Sequence, residues 1–159
     1  MKPQVTKDHK FMELAYARAR FSKDTSTQVG AVIVGAAKED RSSGYNGAPR
    51  GCAADEAGDL RSARPEKYFW FSHAELNAIT NAARVGVPLE GCTIFVTHPP
   101  CMDCARAIVQ AGIKRVVTVR PSADFVERWE EHMSRSQRLF DECGVAYEEI
   151  ECDREPSSP

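Results

Sequence analysis

The chain has 159 residues, 21 Lys and Arg against 23 Asp and Glu, and a net charge of −2. The length suits one domain with an ordinary core, and the charge balance argues against a broad nucleic-acid or membrane surface. No apolar run approaches the ~20 residues that span a bilayer, and the stretch from Met1 to His9 is polar rather than signal-like.

Asp8 to Phe21 reads as a helix, with Phe11, Leu14, Ala15, Arg18 and Ala19 on one face. A polar loop from Ser22 to Thr27 leads into Val29–Val34, whose apolar run predicts a buried central strand. Residues 35–40 turn, and Arg41–Tyr45 returns as the second strand of a hairpin. The stretch Gly44-Tyr45-Asn46-Gly47-Ala48-Pro49-Arg50-Gly51 is rich in permissive backbone, as where a chain turns tightly or approaches a ligand. A plain surface loop is the alternative. Cys52 to Lys67, acidic and then basic, reads as an exposed insertion that reaches to about residue 72. The aromatics Tyr68-Phe69-Trp70-Phe71 wall a pocket, fill core or meet a subunit.

A helix is predicted over His73–Arg84, stopped by Gly86 and Pro88, then a strand over Cys92–Thr97 and a helix over Met102–Ala111. A strand over Ile113–Val119, a long helix over Ala123–Cys143 and a strand over Val145–Ile150 complete the pattern. Residues 1–152 thus form one domain, and 153–159 a flexible tail. This order predicts an α/β fold with one mixed sheet, helices on both faces and parallel later strands.

Two short words carry the chemistry: His73-Ala74-Glu75 and Pro99-Pro100-Cys101-Met102-Asp103-Cys104. A catalytic zinc takes three protein ligands and keeps one position for water, and His73, Cys101 and Cys104 form such a set. Zinc lowers the pKa of its bound water from about 15.7 to roughly 7, so hydroxide becomes available. Glu75, two residues from the histidine, is placed to move protons without ligating. Cys101 and Cys104 share a helix face, Pro100 suits a helix start, and the positive ends of two helices face the site. Either word alone is weak, since Cys-x-x-Cys also serves redox pairs and structural zinc. Together, H-x-E and P-C-x-x-C are a signature of zinc-dependent nucleobase deaminases. Cys52, Cys92, Cys143 and Cys152 are scattered and read as thiols of a reducing, cytoplasmic compartment.

With these residues in place, the chain resembles the cytidine/deoxycytidylate deaminase superfamily from about Phe21 to Tyr147, and within it the deoxycytidylate (dCMP) branch. The phrases that carry the resemblance are Ser22-Lys23-Asp24, Gln28-Val29-Gly30-Ala31, Gly44-Tyr45-Asn46-Gly47, His73-Ala74-Glu75-Leu76-Asn77-Ala78-Ile79 and Gln110-Ala111-Gly112-Ile113-Lys114, with the cysteine word between. The resemblance implies a three-layer α/β/α fold on a five-stranded sheet and zinc-dependent hydrolysis of dCMP to dUMP, the thymidylate precursor. It gives zinc to His73, Cys101 and Cys104, and the proton shuttle to Glu75. Asn46 meets the sugar hydroxyl, the Ala74 backbone the base carbonyl, backbone from Thr97 through His98 to Pro99 the leaving amine, and Val29 the base.

The phosphate is expected at Lys23, Ser26 and Arg50, polar groups that flank the loops nearest the base. The resemblance also implies a homo-oligomer, with a hexamer favoured, dCTP as activator and dTTP as inhibitor, with Tyr45, Asn46 and Arg84 at the effector site. A second, structural zinc is not expected, because residues 51–72 contain Cys52 and no histidine. His9, His98 and His132 read as surface or loop residues, with His98 bordering the pocket by position. The rival readings are a tRNA-adenosine, free cytidine, blasticidin or guanine deaminase, a bifunctional dCMP/dCTP enzyme, and a non-catalytic zinc-binding subunit.

Overall fold

The structure, a computed structural model, describes residues 5–56 and 58–152. The expected tail over 153–159 lies outside the described residues. Helix α1 (Lys7–Ala19) is started by Thr6, whose hydroxyl and amide pair with the amide and ring of His9 in a capping box. Strands β1 (Gly30–Val34) and β2 (Asp40–Tyr45) form the hairpin. Helix α2 (Lys67–Trp70) belongs to the insertion, and α3 (Ala74–Val85) follows it. Then come β3 (Thr93–Val96), α4 (Met102–Gln110), β4 (Arg115–Val119), α5 (Ala123–Glu142) and β5 (Ala146–Ile150).

The five strands make one sheet in the order β2-β1-β3-β4-β5. β1 runs antiparallel to both neighbours, whereas β3, β4 and β5 are parallel. Every residue of β1 is buried, as its apolar run predicts, and its side chains divide between two layers with period two. Ala31 and Ile33 join the core under α3, α4 and α5, with Ile94, Val116 and Phe140. Val32 and Val34 join Met12, Ala15, Phe95 and Val117 under α1. Fully burying a side chain such as Phe95 or Phe140 contributes about 1.5–3 kcal/mol.

The buried stripe of α1 is Met12, Ala15 and Ala19, while Leu14, expected to face inward, is 46% exposed. The helix sits slightly rotated from the expected phase because its backbone presses on β1. A Cβ at Gly30 would stand 1.9 Å from the carbonyl oxygen of Ala15. Gly44 does the same for α3, where a Cβ would stand 2.4 Å from the amide nitrogen of Ala78. Three side chains then lock α3 to β2: Ser42 donates to the Ala78 carbonyl, Asn77 to Tyr45 and Asn81 to Ser43. This contact fixes where the first metal word points.

The insertion is only partly exposed. Its short turns at Ala53–Asp55 and Leu60–Ser62 lead to α2, where Lys67 is 7% exposed. Ser72 and Gly47 exchange two backbone hydrogen bonds and return the chain to the site. No helix among the described residues is long and apolar enough to cross a membrane.

Candidate active site

The carboxyl ends of β3 and β4 and the start of β1 lie together, since Ala31 pairs with Val96 and Val96 with Thr118. Ligands favour such edges in α/β sheets. α3 begins there with His73 as its N-cap, and α4 begins there with Cys101 as its N-cap. Both caps have extended backbone, and neither side chain caps its own helix. Imidazole and thiolate therefore remain available as ligands, beside the positive ends of two helices. Pro100 precedes the Cys101 cap, and the helix starts at Met102 as expected. Cys104 projects from the first turn of α4 to the same point.

His73 Nδ1 stands 3.4 Å from each of the two sulfurs, and the three ligand atoms all lie within 4.8 Å of one another. Zn–S bonds of about 2.3 Å and Zn–N bonds of about 2.0 Å at a tetrahedral angle place sulfur about 3.5 Å from nitrogen. The donor set and its spacing fit one zinc ion with a fourth position left over.

The three side chains also share protons. The hydrogen bond to Cys101 pulls His73 up to about 9 against its partial burial. The hydrogen bond from Cys104 pulls the Cys101 thiol well below its ordinary range, and the same bond with burial pushes the Cys104 thiol up. At pH 7.5 one thiolate is already present, whereas His73 and Cys104 each hold a proton that a metal must displace. Zinc loading is expected to release about two protons, and affinity to fall as pH falls. Calorimetric titration in two buffers of different ionisation enthalpy measures this; a release near zero contradicts it.

Glu75 lies in the first turn of α3 and is 4% exposed. Burial pushes its carboxyl up, with the nearby His73 opposing. It lines, with His73 and Cys101, a cavity of about 380 Å³. Ser26, Val29, Asn46, Ala74, His98 and Pro99 of the expected set also line it. Asn46 is held rigidly: its Oδ1 accepts from the Val29 amide, and its Nδ2 donates to Thr27 and Asp24. Burial pushes the His98 imidazole down to about 4, so it is neutral near pH 7.

Other expected residues lie elsewhere. The Thr97 side chain accepts from the Gly30 amide, and its own amide donates to the Gly30 carbonyl, so it closes the sheet rather than lining the cavity. Lys23 points to the insertion, where its Nζ meets Asp55. Arg50 donates to Asn81 and, with Arg18 and Arg84, lines a separate hollow of about 430 Å³. Tyr45 stacks on Phe21 beside that hollow, with the Arg18 guanidinium over both rings.

Two further walls complete the cavity. Tyr68 and Phe71 of the insertion take up the pocket-wall reading offered for the aromatic run, whereas the α5 wall was not anticipated. The insertion supplies Arg64, Lys67, Tyr68 and Phe71, and α5 supplies Phe125, Arg128, Trp129 and His132. The rings of His98, Phe125, Trp129 and His132 follow one another at 5.4, 6.0 and 5.5 Å. The spacing 125, 129, 132 on one helix face was a signal for this wall, although it equally describes a core stripe.

The family model described as the cytidine and deoxycytidylate deaminase zinc-binding region matches residues 5–120. An uncharacterized deaminase of Aliivibrio fischeri is 44% identical over 138 residues, covering 86% of this chain and 88% of the relative. The deoxycytidylate deaminase of Pongo abelii is 39% identical over 140 residues, covering 86% and 75%. Among solved structures, the dCMP deaminase of cyanophage S-TIM5 in complex with dCMP and dUMP superposes with a TM-score of 0.72. That pair is 28% identical and covers 94% of this chain and 99% of the other.

Proposed function

The chain belongs to the cytidine and deoxycytidylate deaminase zinc-binding family, and from that premise we propose that it hydrolyses dCMP to dUMP and ammonia. The observation that carries this reading is the His73, Cys101 and Cys104 triad, of which His73 and Cys101 line one cavity together with buried Glu75 and the rigid Asn46. The whole-length likeness to a dCMP deaminase that binds dCMP and dUMP supports the substrate.

His73, Cys101 and Cys104 hold the zinc, whose Lewis acidity makes a nucleophile of water at neutral pH. Glu75 takes one proton from the attacking water and passes it to the ring nitrogen. It then takes the second from the hydroxyl now on the ring carbon and delivers it to the amine, which leaves as ammonia. A carboxyl raised by burial is suited to both transfers. Val29 walls the base, the Ala74 amide donates to its carbonyl, and Asn46 meets the sugar hydroxyl while staying anchored to Val29. Backbone at His98 and Pro99 accepts from the leaving amine. Purified, zinc-loaded protein should convert dCMP to dUMP with one ammonia per turnover; dCMP left intact sinks the reading.

The same reading takes residues 1–152 as one cytoplasmic catalytic domain that assembles as a homo-oligomer, a hexamer favoured. It also extends to dCTP as activator and dTTP as inhibitor. The hollow of Arg18, Arg50 and Arg84 supports an anionic effector, and the Arg18 Nε is buried there without a hydrogen bond among the described residues. dCTP should make a sigmoidal dCMP curve hyperbolic, and Arg84→Ala should remove that response. A wild-type curve indifferent to dCTP contradicts the effector reading.

A further inference from the structure

A nucleotide monophosphate brings up to two negative charges into the cavity, and something must meet them. Among the described residues, three permanent cations line it: Arg64, Lys67 and Arg128. Lys67 is already committed. Its ammonium stands 2.7 Å from Asp24 Oδ2 and 2.5 Å from Ser26 Oγ, and both ends of the ion pair are buried. A cation neutralised by a buried carboxylate has little field left for a second anion. Lys23 and Arg50 are engaged outside the cavity by Asp55 and Asn81.

Arg64 and Arg128 differ from these. Neither forms an ion pair among the described residues, and Arg128 makes one hydrogen bond, from Nε to the Asp124 carbonyl of its own helix. Arg64 sits three residues before Lys67, whose pairing with Asp24 pins that part of the insertion beside the cavity. Arg128 sits on α5 between Phe125 and Trp129, which wall the same cavity. Two uncommitted guanidiniums on two different elements thus border one space. A guanidinium presents parallel N–H groups that match phosphate oxygens two at a time.

We infer that Arg64 and Arg128 together form the 5′-phosphate subsite. The inference rests on the dCMP reading above and replaces Lys23 and Arg50 in that role. The insertion and α5 thereby set the preference for a nucleotide over a nucleoside, while the metal floor and Glu75 treat both alike.

The test compares dCMP with deoxycytidine in the zinc-loaded wild type and in Arg64→Ala, Arg128→Ala and the double variant. Zinc content and circular dichroism confirm that each is folded. The wild type should prefer dCMP. Each single change should raise the KM for dCMP about 10-fold and the double change about 100-fold, as loss of one and two charge-assisted contacts implies. kcat/KM for deoxycytidine should stay within about twofold of wild type, because that substrate carries no phosphate to lose. A wild type that prefers dCMP and a double variant that keeps the preference overturn the arginine assignment alone. Equal losses on both substrates also overturn it, since they mark a structural role. A wild type without any preference for dCMP overturns the dCMP reading and the assignment together.

Discussion

Glu75→Gln leaves zinc bound and reduces turnover by about 10²–10⁴-fold, towards the upper end because one group serves two proton transfers. Two carboxyl side chains line the cavity among the described residues, Asp24 and Glu75. Asp24 accepts five hydrogen bonds, from the Ser26 amide and hydroxyl, the Thr27 amide, Asn46 Nδ2 and Lys67 Nζ. Burial alone would raise it, but these donors, led by Lys67, hold its carboxyl below the ordinary range. It is saturated with donors and stays charged near neutral pH. Glu75 is the reverse case, raised by burial and free to exchange a proton. Environments that push two carboxyls apart in this way assign their roles. Glutamine keeps the size of Glu75 and is not one of the three metal ligands, so metal analysis should still find about one zinc per chain. Turnover within tenfold of wild type, or loss of zinc, contradicts the role given to Glu75.

Lys67→Met destabilises the fold by about 3–5 kcal/mol. The change removes one partner of a pair whose members are 7% and 6% exposed, and leaves the Asp24 carboxylate buried without its cation. The sign with pH follows. The folded-state pKa of Asp24 is depressed, so its contribution is present above the unfolded value of 3.8 and is lost as pH falls through the lower folded value. Without Lys67 that carboxyl titrates higher, so the gap between wild type and variant should narrow as the solution is acidified. Urea denaturation at saturating zinc, at pH 7.5 and again near pH 4, reads both quantities. Asp24→Asn combined with Lys67→Met should recover part of the loss, because the uncompensated charge is gone. A loss below about 1 kcal/mol at neutral pH, or a double variant as weak as the sum of the singles, contradicts this account.

The sheet and the metal floor were legible because their signals are local. The apolar run of β1, the β-branched residues of β3 and β4, and the glycine that stops α3 act within a few residues. The ligands lie in two words of three and six residues, and each word sits at a helix start. The upper walls depend on distant partners. Lys67 is buried only because Asp24, 43 residues away, receives it, and no local pattern marks that pairing. Lys23 was expected at the phosphate because it borders the same loop, yet the loop turns it out towards Asp55. Arg50 follows the loop that carries Asn46, but it extends on the far side, to Asn81. Phe125 and Trp129 carry a helical spacing that fits a core stripe and a cavity wall equally. On α5 the fully buried residue is Phe140, in the second half of the helix. Leu14 shows the remaining limit: one step of helix phase, set by the close approach at Gly30, moves a leucine from core to solvent.

The most direct test of the central claim is ammonia release by the zinc-loaded wild-type protein offered dCMP, deoxycytidine, dCTP and a tRNA anticodon stem in parallel. The account predicts rapid release from dCMP, slower release from deoxycytidine and none from dCTP or the stem. Release from the stem, or from none of the four, contradicts it.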